Sequence, residues 1–421
     1  MSVNSTLELA LRDILHVINP LPEDWSTRYE IINELQAVVQ SVESLRGATV
    51  EPFGSFVSVL FTRWGDLDLS IELPNNSYIP CAGKRRKLTL LGEVLKALRR
   101  KGGWRKLQFV PNARVPILKL ESYQNISCDI SINNLNGQIK SKLLYWINLI
   151  DGRFRDMVLL VKEWAKAHNI NDPKFGTLNS YSLSLLVIFH FQTCVPAILP
   201  PLREIYPGNL VDGLTGVRAD AERHIEETCA ANIFRFKEDR SRIVNRSSLS
   251  ELFISFLSQF SSMRASEHGI CTYTGQWEDI DSNMRWMPKT FALFIEDPFE
   301  QPLNTARSVS SGQMTRISEA FQTTHRMLTS ANQNHGSLIA TLVRPRILSS
   351  VFTRTPSINP NDYNRTRPQV QRNVHSPSQV QQQFQSMRLD SRPTNTTTRT
   401  QRPAQTFYNQ GQQSWRPRSN R

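Results

Sequence analysis

Apolar and polar residues alternate along this chain in two rhythms, and the change from one to the other divides it. Ile31, Ile32, Leu35, Val38, Val39, Val42 and Leu45 keep helical spacing up to Gly47, predicting a helix from the candidate N-cap Ser26. A first amphipathic helix is expected over about 6–17. Short stretches near 48–52, 67–73, 106–110, 115–121 and 126–132 then read as strands, the last two as a hairpin. One helix over about 87–100 interrupts them, with Leu91, Val94, Leu95 and Leu98 inward. From Lys140 the pattern is helical: 142–149, 154–167, 180–193, 219–236, 248–260 and a last helix over 304–330. The fold class is therefore α+β, a mixed sheet with helices followed by a helical domain. The N-terminal helices, 1–46, are expected to pack with that helical domain, and a cleft between the two parts is the expected place for a site.

Beyond about residue 340 the chain is Gln, Asn, Arg, Ser, Thr and Pro with isolated aromatics. Such a segment cannot bury enough apolar surface to offset ordering entropy, so 340–421 is expected to be disordered. This changes the meaning of the charge. The net charge is +13 and the pI about 9.7. Residues 341–421 hold thirteen Arg against two Asp, with no Lys or Glu, and so account for +11 of it. The folded part is nearly neutral, and its function must be read from its site rather than its net charge. The tail's Arg residues are interleaved with Phe352, Tyr363, Phe384, Phe407, Tyr408 and Trp415. That pattern suits loose RNA contact, and equally a solvated spacer or a partner-binding segment. Lys84-Arg85-Arg86-Lys87 reads as a nuclear signal, an RNA-entry rim or a charged loop before a helix.

Cys81, Cys128, Cys194, Cys229 and Cys271 are scattered and odd in number, which argues against structural zinc and a disulfide framework and suits a reducing compartment. Residues 1–18 lack the basic start and uninterrupted apolar run of a secretion signal. The most apolar run, 181–195, is too short and too polar to span a bilayer and reads as a core helix. His168 reads as a helix-end residue rather than a metal ligand.

The chemistry is concentrated in Gly54-Ser55, followed by Asp66-Leu67-Asp68. Strand alternation puts Asp66 and Asp68 on one face, with Leu67 and Leu69 turned inward. Two carboxylates so close repel each other unless cations neutralise them, and hard oxygen donors suit Mg²⁺ or Mn²⁺ shared with substrate phosphates. Asp129 is the candidate third carboxylate, because Cys128, Ile130 and Ile132 alternate with it along a strand. Two metals held by Asp66, Asp68 and Asp129 would support in-line displacement at a nucleotide α-phosphorus. Gly54 lets backbone N–H groups approach phosphate, and the Ser55 hydroxyl can donate. A lone D-x-D more often lies on a solvated edge, and a lone G-S is usually a turn; the weight rests on their conjunction.

At these residues the chain resembles the DNA-polymerase-β-like nucleotidyltransferase superfamily, and within it the poly(A)-polymerase-related terminal uridylyltransferases. The resemblance runs over about 48–309. It is carried also by Val158-Leu159-Leu160-Val161-Lys162, Trp164-Ala165-Lys166, Phe175-Gly176-Thr177-Leu178-Asn179-Ser180-Tyr181, Ile295-Glu296-Asp297-Pro298-Phe299-Glu300 and Asn304 with Ala306-Arg307-Ser308-Val309. Within that family the chain resembles the plant enzymes that uridylate small RNAs lacking a 3′-terminal 2′-O-methyl group.

The resemblance implies a catalytic domain over 47–139 and a helical poly(A)-polymerase-associated domain over 140–335. It implies addition of UMP from UTP to an RNA with a free 3′-hydroxyl, promoting RNA degradation, with Argonaute partners and a nuclear and cytoplasmic location including RNA granules. Nucleotide contacts are implied at Gly54, Ser55, Lys140, Ser141, Lys162, Lys166, Ser180, Tyr181, Asp297, Glu300 and Asn304. Lys162 and Lys166 share a helix face and could meet the β- and γ-phosphates, or be a solvated face. Ser180 is placed for an N-cap or phosphate contact, and Tyr181 for base stacking or for the core. Asp297 and Glu300 would lie near the base edge, unless the Asp-Pro-Phe-Glu loop only caps a helix.

Two departures bear on base choice. The histidine that helps yeast-type relatives select uracil is matched by Leu303, followed by Asn304, and the family Asn-Thr pair is matched by Lys140-Ser141. An RNA adenylyltransferase, a non-catalytic RNA-binding scaffold and a nucleotidyltransferase acting on small molecules or proteins are the alternatives. All three carboxylates are present, which argues against the scaffold.

Overall fold

The period-two stretches pair as strands. β1 (Thr49–Phe53), β2 (Leu67–Glu72), β4 (Arg105–Val110), β5 (Ile117–Glu121) and β6 (Ser127–Ile132) form one sheet in the order β1-β2-β6-β5-β4, while β3 (Tyr78–Ile79) pairs with β7 (Gly216–Val217) and β8 (His268–Cys271) with β9 (Gln276–Asp279). β1–β2, β5–β6 and β4–β5 are antiparallel; β2 and β6 are parallel. Leu67, Leu69, Ile71, Cys128, Ile130 and Ile132 are buried, as alternation requires. α3 (Lys84–Lys101) makes the crossover that a parallel pair needs and packs on β4, β5 and β6. The run Lys84-Arg85-Arg86-Lys87 is its first turn, not a loop before it.

This computed structural model describes residues 3–74, 78–79, 83–261, 268–286, 290–330 and 334–354, which lie within one compact unit. Cys81 and most of the Arg-rich tail, 355–421, fall outside the described residues.

α1 (Val3–Ile18) packs against α5 (Arg153–Ala167), α10 (Leu249–Ser261), α12 (His335–Leu342) and α13 (Pro345–Arg354), so it belongs to the helical part as expected. α2 (Pro22–Gln40) does not: it lies on β1, β2 and α3. Its amides explain why. Gln36 accepts from Val50 N at 2.7 Å and donates to Ala48 O at 2.9 Å, while Gln40 donates to Ala48 O at 2.7 Å, tying the helix to the start of β1. α2 also starts before Ser26, because Pro22 suits the first helical position and the Asp24 carboxylate accepts from Leu21 N at 2.7 Å.

The remaining helices are α4 (Leu135–Asn148), α6 (Ser180–Thr193), the single turns α7 (Leu202–Ile205) and α8 (Leu210–Gly213), α9 (Arg218–Glu238) and α11 (Ser311–Thr329). α6 is buried almost all round and serves as the core helix of this part. Trp164 joins α5 to α11: its ring meets Phe321 edge-on at 4.7 Å and its Nε1 donates to Thr324 Oγ1 at 2.9 Å. Burying a ring of that size contributes roughly 4–5 kcal/mol.

Two boundaries differ from the sequence expectation. α11 begins at Ser311 rather than 304, because 293–306 is held as a loop by the bridges Ile270↔Ile295 and Glu296↔Asn304. The folded part also extends past residue 340. Leu338, Ile339, Leu342, Val343, Ile347 and Val351 are buried in α12, α13 and the turn between them, a helical stripe that the polar average of the tail conceals. His168 ends α5 as expected, with its Nε2 3.0 Å from Thr341 O of α12. Among the described residues no helix is long and apolar enough to cross a membrane, and Cys128, Cys194, Cys229 and Cys271 are free thiols.

Candidate active site

The parallel register sets Asp68 beside Asp129, and the antiparallel register sets Lys119 of β5 across from Asp129. Asp66 lies just before β2 and is open to solvent, whereas Asp68 and Asp129 are half-buried. The three carboxylates therefore share one face at the centre of the sheet. Lys119 Nζ meets both Asp129 oxygens, at 2.5 and 2.8 Å. Enclosure by protein, then the charges of Asp129 and Asp66, push the Asp68 carboxyl up to about 7. Asp66 keeps contact with solvent, yet the protein around its carboxyl desolvates it enough to raise it as well, with Lys166 opposing the shift and Asp129 adding to it.

This crowding suits divalent cations: the donors are hard oxygens, their mutual repulsion is unrelieved except by ammonium groups, and Lys119 already sits as a cation against one of them. Among the described residues no three His, Cys, Asp or Glu side chains form a ready metal cage. A site completed by substrate phosphates does not require one.

Gly54 follows β1 and has φ +68°, in the left-handed region, and a Cβ there would fall 2.0 Å from Asp68 Oδ2. Only glycine lets the turn approach the carboxylate so closely. Gly54 N donates to Ser141 Oγ at 2.6 Å, and that hydroxyl donates to Gly137 O at 2.6 Å. Ser141 is thus buried against the protein, where it fixes the glycine turn. The Ser55 hydroxyl has no protein hydrogen bond among the described residues, whereas its carbonyl accepts from Leu60 N at 2.9 Å.

Across from the sheet, α5 presents Lys162, buried, and Lys166, half-buried, one turn apart. Lys162 Nζ donates to Leu60 O at 2.8 Å. Burial, then the charge of Lys166, lower Lys162 to about 8, with Asp68 and Asp66 acting in the opposite sense. The residue before Leu60 is strained: Val59 has φ +60°, a region β-branched side chains avoid, and its carbonyl accepts from Arg155 Nε at 3.1 Å.

A stability test follows from that strain. Val57, half-buried in the same loop without a positive φ, sets the reference: Val57→Gly should cost about 2 kcal/mol in lost burial and chain entropy. Val59→Gly loses similar terms but gains about 1–3 kcal/mol of strain relief, so it should be close to neutral in urea unfolding. Equal losses for the two variants would mean that Val59 is not held in this conformation.

At the other end of the site, buried Asp297 and Glu300 both take a hydrogen bond from Lys140 Nζ. Glu300 also accepts from Arg114 Nη2 and Asn136 Nδ2, each at 2.6 Å. Burial would raise its carboxyl, but Lys140, Arg114 and Asn136 outweigh that and hold it low. Asp297 Oδ1 accepts from Tyr181 OH at 3.2 Å, and the Lys140 ammonium lies 5.5 Å from the Tyr181 ring centre. Asn179 is the N-cap of α6, accepting from Ser182 N at 2.8 Å; Ser180 is instead the first helical residue, with its hydroxyl on Asn171 Oδ1 at 3.2 Å. Asn304 turns away from the site. Its oxygen accepts from Ile295 N and Ala306 N, and its amide donates to Leu293 O, so it shapes the loop rather than presenting a free amide to a nucleotide.

Several residues that serve the site escaped the sequence reading. Lys119 could have been found only with the strand register. Arg28 of α2, fully buried, donates to Arg63 O at 3.1 Å and Gly65 O at 2.7 Å and so sets the chain just before Asp66. Arg114 and Asn136 join the site only through the fold.

Residues 7–148 match the family described as "Poly(A) RNA polymerase, mitochondrial-like, central palm domain". The chain is 58% identical over 386 residues to protein HESO1 of Arabidopsis thaliana, covering 91% of this chain and 75% of that protein. It is 27% identical over 337 residues to terminal uridylyltransferase cid1 of Schizosaccharomyces pombe, covering 72% and 78%. A solved structure of a cytoplasmic RNA terminal U-transferase superimposes with a TM-score of 0.62 at 25% identity, covering 80% of this chain and 99% of that one. With the carboxylate trio, the glycine turn and the paired lysines in the same fold, the chain belongs to the poly(A)-polymerase-related family of RNA terminal nucleotidyltransferases, in the branch of the uridylyltransferases.

Proposed function

We propose that this chain adds UMP from UTP to the 3′-hydroxyl of RNA without a template, and that its substrates are small RNAs lacking a 3′ 2′-O-methyl group and RNA fragments marked for degradation. The observation that carries the reading is the parallel β2–β6 register, which sets Asp68 beside Asp129 with Asp66 adjoining them, opposite Lys162 and Lys166.

In this reading Asp66, Asp68 and Asp129 hold Mg²⁺ or Mn²⁺, which when bound would supply the Lewis acidity that eases deprotonation of the 3′-hydroxyl and neutralises the triphosphate. Lys162 and Lys166 pair with the β- and γ-phosphates and stabilise the pyrophosphate as it leaves. The free Ser55 hydroxyl and the Gly54 turn receive phosphate oxygens. Tyr181 stacks on the base, whose edge faces the Lys140–Asp297–Glu300 cluster. The enzyme would act in the nucleus and cytoplasm, including RNA granules, with Argonaute proteins as partners delivering the RNA.

Adenylyl transfer is the second reading. Leu303 stands where yeast-type relatives carry a uracil-selecting histidine, and its backbone is bonded to Asp297 and Glu300. Extension of a labelled single-stranded RNA with each nucleoside triphosphate separately, in Mg²⁺ or Mn²⁺, decides between them. A ladder with UTP, lost when the RNA ends in a 2′-O-methyl ribose, is the expected result. A ladder mainly with ATP would overturn the substrate, and none with any nucleotide would overturn the enzyme.

A further inference from the structure

The helix that ends the described chain brings an arginine against Trp64, in the segment that leads to Asp66. Arg344, just before α13, is anchored on Glu163, a fully buried residue of α5 between Lys162 and Lys166. Its Nε meets Oε1 at 2.9 Å, its Nη2 meets Oε2 at 2.6 Å, and its backbone N–H meets Oε1 at 3.2 Å. This bidentate clamp fixes where α13 starts.

Two residues on, the exposed Arg346 places its guanidinium 5.1 Å from the ring centre of Trp64; Arg63 lies 5.8 Å from the same ring. Trp64 is two residues before Asp66, so Arg346 lies against the segment that leads into β2. Arg63 is balanced by Asp24 at 2.9 Å and Arg344 by Glu163. Among the described residues, neither Arg346 nor Lys166 has a carboxylate within salt-bridge distance. A guanidinium held against an indole keeps the donors on its edge directed to solvent, in the fork geometry that matches phosphate.

We infer that Arg346 is a phosphate-binding residue of this active site, holding with Lys166 the terminal phosphates of the incoming nucleoside triphosphate and the pyrophosphate that leaves. The inference rests on the nucleotidyl-transfer reading above and adds to it a binding group from the C-terminal helix. RNA backbone phosphate offers the same chemistry from another source. The triphosphate is favoured because Arg346 lies against Trp64, two residues before Asp66, and its charge acts on Lys166, which faces the carboxylates. Glu163 offsets Arg344 but Lys166 and Arg346 form no ion pair among the described residues, so the pair gains most from a multiply charged anion.

The test compares the full chain with Arg346→Ala and Arg346→Lys. Calorimetric binding of inorganic pyrophosphate in Mg²⁺, the KM for UTP, and the affinity for a single-stranded RNA are measured, with thermal melting as the folding check. Arg346→Ala should weaken pyrophosphate binding and raise the KM for UTP by about tenfold each, the size of one charge-assisted hydrogen bond, with the effect on KM rather than kcat. Arg346→Lys should recover part of the loss. Unchanged pyrophosphate binding would overturn the inference, as would a loss confined to RNA affinity, which would assign the arginine to RNA backbone. Pyrophosphate binding needs no turnover, so a chain that binds it through Arg346 yet extends no RNA would sink the functional reading and not this one.

Discussion

The Asp129→Ala protein should show nucleotide addition at least about a thousandfold below wild type, because in the proposed mechanism several kcal/mol of transition-state charge stabilisation depend on the carboxylate trio. Asp66→Ala should behave alike. The fold should hardly notice. Asp129 is half-buried, and its partner Lys119 can reach solvent, so losing this ion pair costs little. Its removal also relieves Asp68. A carboxyl whose folded pKa is raised to about 7 disfavours the folded state once pH exceeds its unfolded range near 4, and Asp129 is the first-ranked charge behind that rise. Melting at neutral pH should therefore lie no more than a few degrees below wild type. Primer extension and thermal melting on the same preparation measure both. Near-wild-type activity would mean that other carboxylates carry the reaction.

Gly54→Ala should be nearly as damaging, for a steric reason. The substitution forces a left-handed φ on alanine, costing about 1–2 kcal/mol, and drives a methyl to 2.0 Å from Asp68 Oδ2. Either the turn or the carboxylate must shift. Catalytic constellations tolerate only about 0.5 Å of displacement, so activity should fall about a hundredfold or more. Gly102→Ala provides the control, since Gly102 has φ +73° but open space around its missing Cβ. It should cost at least as much stability, because its ψ of −174° puts it in a region only glycine favours, and leave extension intact. If Gly54→Ala retained full activity while losing stability like Gly102→Ala, the close approach to Asp68 would have no role in catalysis.

What could be read along the chain was what depends on neighbours in sequence. Asp66 and Asp68 fall on one face because side chains alternate along a strand, and the same period puts Asp129 opposite the buried Cys128, Ile130 and Ile132. Lys162 and Lys166 share a face because a helix turns every 3.6 residues. Everything that makes those residues a site depends on distant partners. No local pattern states that β2 runs parallel to β6, which brings Asp68 to Asp129, or that β5 sets Lys119 across from Asp129. Nor could local pattern show that α2 lies on the sheet rather than the helical part, since its apolar stripe fits either surface and two glutamine amides decide the matter.

Composition misled at the C-terminus for the same reason. A polar average over 340–421 hides a stripe of apolar residues whose burial becomes worthwhile only once α1 and α5 offer a surface, and with that stripe come Arg344 and Arg346. Asn304 and Ser141 show the converse: their polar groups suited a ligand, but the fold uses them for its own backbone. The sequence alone thus determined which chemistry the chain can perform, through the types and local spacing of its carboxylates and lysines. Tertiary structure decided which of them meet, because strand register and helix docking are set by long-range packing that no local period encodes.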